Sequence, residues 1–155
     1  MKNPGSNKIE MLSDKEIKSL LKNSKTIAVV GISRDRGKPS HKIPKYLKEK
    51  GYKIIPINPF ADKVLGEKSL KSLAQVKDTV DIVDIFRPGD EVYEIVKQAV
   101  ALKPKIIWMQ SGIKNIKAKK YAEKYNIAVV MDKCLGKEHH RLVDKDKPGT
   151  GIFLK

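Results

Sequence analysis

The sequence predicts an α/β domain built on a doubly wound sheet of five parallel strands in the order 3-2-1-4-5. Three observations predict it. Apolar, β-branched runs and helix-like segments alternate along the whole chain. The runs are continuously apolar, as strands covered on both faces require. The segments between them are long enough for the right-handed crossovers that join parallel strands. At 155 residues there is room for one domain with a substantial core, and not for two ordinary ones.

The elements follow in order. Ser13 with Glu16 three residues on is a capping-box pattern, so a first helix runs over Asp14–Lys22. Residues 25–30, ending in TIAVV, form the first strand, and Gly31 lets the chain turn sharply after it. A helix is expected over about 40–50. Pro44 is tolerable only in a first turn, which moves the expected start towards Ile43. YKIIPI (52–57) is the second strand, followed by a loop over 60–68 and a short helix over 69–76. VDIVDIF (80–86) is the third strand. Asp90 is the expected cap of a helix over 91–102, whose Val92, Ile95, Val96, Ala99 and Val100 make one apolar stripe. KIIWM (105–109) is the fourth strand, 115–125 a helix and 127–131 the fifth strand. A last short helix is expected over 137–143. The domain limits expected are a leading segment 1–24, the α/β domain 25–143 and a flexible tail 144–155. Val30, Ile57, Ile85 and Ile107 are assigned to the core, with Trp108 and Met109 as packing residues.

In such sheets ligands bind beyond the carboxyl ends of the strands, near the switch point beside strand one. Four segments converge there: 31–40, 58–63, 86–90 and 110–112. The first carries a glycine turn, Ser33, a helix N-terminus near Ser40 and the cations Arg34, Arg36 and Lys38. A strand, a tight turn and a helix start make an anion site, because open amides and the helix dipole point outward. The ligand expected is a phosphorylated nucleotide or cofactor. A dinucleotide fingerprint needs a second glycine where Ser33 stands, and an acid where Asn58 stands, so NAD fits poorly. The P-loop pattern is missing as well.

Composition sets outer bounds. The net charge is +15, from 33 Lys and Arg against 18 Asp and Glu. The lysines are scattered, with no zinc-finger spacing and no interleaved aromatics, so they read as a solvated surface and argue against a nucleic-acid partner. No run approaches the about 18 apolar residues of a membrane span. The N-terminus lacks the apolar stretch of a signal peptide, and Cys134 is the single cysteine, which suits a reducing cytoplasm.

The segments VVGISRDRGKPSHKIPKYLKEKGYKIIPINP, VLGEKSLKSL, VDIVDIFRP, IIWMQSGI and VVMDKCLGKEHHRL, in that order and spacing, cover residues from about 13 to 143. Together they resemble the small single-domain CoA-binding proteins, relatives of the CoA-binding domain of the succinyl-CoA synthetase alpha subunit and of ADP-forming acyl-CoA synthetases. The resemblance implies a Rossmann-like fold that binds coenzyme A or an acyl-CoA without a catalytic role of its own. It implies that Gly31, Ile32, Ser33 and Arg34 hold the phosphates, with Ser40 at the start of the next helix. Asn58, Pro59 and Lys63 would approach the adenosine part, and Phe86, Arg87 and Pro88 the nucleotide. Phe86 is suited to pack on adenine. The partners allowed are the CoA ligand, a second copy of the chain or a synthetase subunit. The alternatives are a subunit of a split synthetase, an NAD(P)- or nucleotide-dependent enzyme, and a nucleic-acid binder.

Asp132, Cys134, Glu138, His139, His140 and Arg141 crowd together after the last strand. Cys134 and His139 are too few for a structural zinc, and no oxyanion motif accompanies a Cys–His nucleophile. The cluster therefore reads chiefly as charge pairs docking the last helix. A contact with the pantetheine arm, and a mixed disulfide between Cys134 and the CoA thiol, are the functional expectations for it.

Overall fold

The computed structural model describes residues 11–144. The first ten residues of the leading segment, and the expected tail beyond Asp144, lie outside the described residues.

Helix α1 (Asp14–Lys22) starts as its capping box requires: Glu16 N–H donates to Ser13 Oγ at 3.1 Å, and Ser13 N–H donates to Glu16 Oε1 at 3.0 Å. Its Ile17 and Leu21 are buried under the sheet. Five parallel strands make that sheet: β1 (Thr26–Val30), β2 (Lys53–Ile57), β5 (Ile82–Ile85), β6 (Ile106–Met109) and β7 (Ala128–Val130). Helices α3 (Gly89–Val100) and α4 (Ile116–Glu123) cover one face. On the other lie α1, α2 (Pro39–Glu49) and α5 (Leu135–His139). Val30, Ile57, Ile85, Ile107, Trp108 and Met109 are all core, and the Trp108 indole donates to the Lys133 carbonyl at 2.7 Å. The α/β, Rossmann-like class is as expected.

The neighbours in the sheet differ from expectation. The order is β2-β1-β5-β6-β7, so the third sheet strand lies against the first, not outside the second. Pro56 supplies the physical reason. Its carbonyl accepts Leu70 N–H at 2.9 Å on the outer side of β2, so its ring nitrogen, which has no proton, faces outward too. A strand with that gap belongs at an edge, whereas the order 3-2-1-4-5 would have placed it between two partners.

Local departures have similar causes. The short helix expected over 69–76 shrinks to a 3₁₀ turn at Leu73–Gln75, because Leu70 is drawn out into a bridge with Ile57. The loop over 60–68 holds a small antiparallel hairpin, β3 (Lys63–Val64) and β4 (Glu67–Lys68), turned by Leu65 and Gly66 at φ 55° and 76°. Pro44 lies well inside α2, not in its first turn. The carbonyl that a residue-44 N–H would have bonded, that of Ser40, instead accepts Ser33 N–H at 3.1 Å. Helix α3 is capped by Pro88 rather than Asp90, and α5 starts at Leu135, two residues ahead of expectation.

Candidate functional site

Val30 ends β1, which lies between the edge strand β2 and β5, and Gly31 turns the chain at φ +86°. A Cβ there would stand 2.8 Å from Arg87 Cδ and 3.0 Å from the Phe86 carbonyl oxygen. That closeness follows from the strand order, since β5 lies beside β1 and delivers Phe86 and Arg87 onto the turn. The loop beyond is folded on itself. Ser33 Oγ accepts Asp35 N–H at 3.0 Å, and Asp35 Oδ1 accepts Gly37 N–H at 2.9 Å. The Ser33 carbonyl accepts His41 Nδ1–H at 2.7 Å. Helix α2 then opens with Lys38 as N-cap and Pro39 at its first position, and no side chain caps it. Pro39 has no N–H, and the His41 and Lys42 N–H groups both donate to the Lys38 carbonyl, at 2.9 and 3.0 Å, so in this turn it is the Ser40 N–H that is left for an anion.

Two cavities adjoin here, of about 600 and 590 Å³, sharing Lys38, Ser40 and Phe86. The first runs past Ile43, Gln110, Ser111 and Ile113 to Cys134. The second runs over Ile57, Leu73 and Ile95 to Asn58, Phe60 and Lys71. They meet at the N-terminus of α2, making one elongated groove across the carboxyl edge of the sheet.

A family model for the CoA binding domain matches residues 25–140. The chain belongs to that family. It is 35% identical over 127 residues to the uncharacterized protein YneT of Bacillus subtilis, covering 82% of this chain and 94% of that one. It is 32% identical over 121 residues to an ADP-forming acetate–CoA ligase of Methanocaldococcus jannaschii, covering 72% of this chain but only 17% of the ligase. Among solved structures, the cell-free ID.343 protein of Thermus thermophilus superposes with a TM-score of 0.81 at 40% identity, over 84% of this chain and 99% of that one.

Within this CoA-binding domain, Gly31, Ile32, Ser33, Asn58, Pro59 and Arg87 line the second cavity, and Ser40 and Phe86 line both. Arg34, Lys63 and Pro88 line neither. Ile32 is part of the core, so its side chain is committed to packing. The Asn58 carboxamide is also committed: Nδ2 donates to the Ile32 carbonyl and Oδ1 accepts Phe60 N–H, both at 2.8 Å. Arg87 forks onto Glu91 at 3.1 and 2.9 Å. Sequence reasoning missed Phe60, Lys71 and Gln110 as individual residues. Lys71 carries no local signal, because a long-range bridge places it.

Asp84 is the other omission. It is fully buried on β5, with Oδ1 accepting Gln110 Nε2–H at 2.6 Å and Oδ2 without a partner. Burial pushes its pKa up to about 7, opposed by the Gln110 bond. Gln110 in turn accepts Leu135 N–H at 3.3 Å, tying the floor of the first cavity to α5. Burial also pushes the Cys134 thiol up, which disfavours the nucleophilic thiolate.

Of the rest of the cluster after β7, Asp132 Oδ1 accepts Gly112 N–H at 2.6 Å, while Glu138, His139 and Arg141 dock the closing helix. Arg141 bonds Asp14 on α1 at 2.7 and 2.9 Å and Glu138 at 2.7 Å. His139 is buried, hydrogen-bonded to Tyr46 at 3.0 Å and edge-on to Tyr46 and Tyr52. Asp144, expected to begin a flexible tail, is 1% exposed and pairs with Lys50 at 2.6 Å. Among the described residues there is no group of three or more metal-ligating side chains, and no helix long and apolar enough to cross a membrane.

Proposed function

We propose that this domain binds coenzyme A, or an acyl-CoA, along the groove as a stand-alone, non-catalytic module. The observation that carries the reading is the pair of adjoining cavities meeting at the uncapped N-terminus of α2. A ligand with a nucleotide, a diphosphate in its middle and a long thin arm has that shape. The diphosphate lies at the Gly31 turn and α2, where the Ser33 and Ser40 hydroxyls and Lys38 are at hand. The nucleotide takes the second cavity and the arm the first, ending near Cys134. Phe86, shared by both cavities, falls against the middle of the ligand, a better place for packing on the sugar-phosphate than on the base.

Calorimetric titration with CoA, acetyl-CoA, dephospho-CoA, NAD and ADP at fixed ionic strength tests it. CoA is expected to bind clearly tighter than NAD, since position 58 carries an amide where a ribose-gripping acid would stand. Gly31→Val abolishes binding, because a branched side chain at φ +86° meets the Phe86 carbonyl. Equal affinity for CoA and NAD, or unchanged binding in Gly31→Val, overturns the reading.

A second reading is favoured by the ligase relatives. The chain also matches 15% of the ADP-forming acetate–CoA ligase II subunit alpha of Pyrococcus furiosus, at 37% identity over 67 residues. As the CoA-binding subunit of a split synthetase, it would co-purify with a stable protein partner.

A further inference from the structure

The second cavity has four charged side chains on its wall, and two of them cancel: Arg87 and Glu91 pair with each other. Lys38 stands at the junction with the first cavity. Lys71 is left at the outer end, exposed and without an ion pair among the described residues. Its position is firmly set. Leu70 bridges Ile57 on the edge of β2, and Lys71 N–H donates to Gln75 Oε1 at 2.8 Å. The cation expected at this end was Lys63, but the β3–β4 hairpin carries Lys63 away from the groove.

Phe60 faces the same end of the groove. It is 86% exposed, the most exposed large apolar side chain among the described residues, although Ala61 beside it is buried. Its N–H is tied to Asn58 Oδ1 at 2.8 Å, so the backbone cannot easily sink the ring into the core. An exposed aromatic ring at a cavity rim, beside a lone cation, suits a flat base carrying a phosphorylated sugar. The committed Asn58 carboxamide points the same way, since a phosphate on the sugar leaves no diol for that position to hold.

Resting on the CoA reading of the groove, we infer that Lys71 pairs with the ribose 3′-phosphate and Phe60 stacks on the adenine. Lys71 is then the residue that tells CoA from dephospho-CoA. Both side chains are exposed, so substituting them leaves the fold intact, which thermal unfolding checks.

The experiment titrates wild type, Lys71→Gln and Phe60→Ala with CoA and with dephospho-CoA at the same salt. Wild type is expected to prefer CoA by about tenfold, the worth of one charge-assisted contact at a half-open site. Lys71→Gln removes that preference and leaves dephospho-CoA binding within about twofold of wild type. Phe60→Ala weakens both ligands by the same factor, about tenfold for a lost stack. A preference that survives Lys71→Gln, or equal losses for both ligands, overturns the role of Lys71. Unchanged affinity in Phe60→Ala overturns the stack. A wild type that binds neither ligand overturns the CoA reading itself and this inference with it, an outcome distinct from failure in the variants alone.

Discussion

A carboxyl group in the middle of an apolar sheet must be neutral or well paired, and Asp84 has one bond for its two oxygens. Its pKa, raised from 3.8 to about 7, means that folding takes up a proton there. The sign follows from linkage. This group favours the native state fully below the ordinary carboxylate range, and the contribution disappears as pH rises through about 7. Asp84→Asn is neutral throughout, so its thermal midpoint is expected to hold between about pH 5 and 8 while that of wild type falls, by an amount equivalent to a few kcal/mol. Circular-dichroism melts across that range decide it, and parallel profiles in the two proteins would clear Asp84 of any titrating role. The cue was already in VDIVDIF: an acid inside an unbroken apolar strand has no solvent face to occupy.

Helix α2 shows how a breaker residue can be put to use. Pro44 removes one donor from its interior, and the freed Ser40 carbonyl holds Ser33 N–H instead. The loop is thereby bolted to the helix that follows it. In Pro44→Ala the helix recovers its own bond and competes for that carbonyl. CoA affinity is expected to fall about fivefold, roughly one hydrogen bond, with no loss of unfolding free energy. A drop in both would assign Pro44 to packing alone. Pro56 works on β2 in the complementary way, by leaving the outer edge to a partner, Leu70, that needs only its carbonyl. Both prolines were visible in the sequence. Their consequences were not, because each depends on which carbonyl or strand lies opposite.

At the scale of the whole molecule, charge and shape have separate roles. A net charge of +15 spread over every segment draws anions of all kinds towards the surface. On the proposed reading, the groove selects among them by contacts of short range. Raising salt from about 0.1 to 0.5 M is therefore expected to weaken CoA binding yet preserve its preference over NAD and ADP, because screening acts on the diffuse charge more than on fitted contacts. Calorimetry at the two salt concentrations measures this. Loss of the preference along with the affinity would mean that the net charge alone attracts these ligands, as it would a nucleic acid.

The sequence by itself determined the succession of the five sheet strands and of the longer helices between them, the capped first helix, the glycine turn after β1 and the family resemblance, but not the 3₁₀ turn at Leu73–Gln75 or the β3–β4 hairpin. Periodicity, caps and glycine turns are written in neighbouring residues, so they are legible there. Only the tertiary structure decided that β5 lies against β1, and hence that Phe86 and Arg87 close on Gly31. It also decided that Asn58 and Arg87 are already engaged, that Lys71 and not Lys63 borders the groove, and that Arg141 ties the last helix to the first. These are pairings between residues far apart in the chain. Such pairings are set by competition among all the partners that folding brings within reach, which no local pattern records.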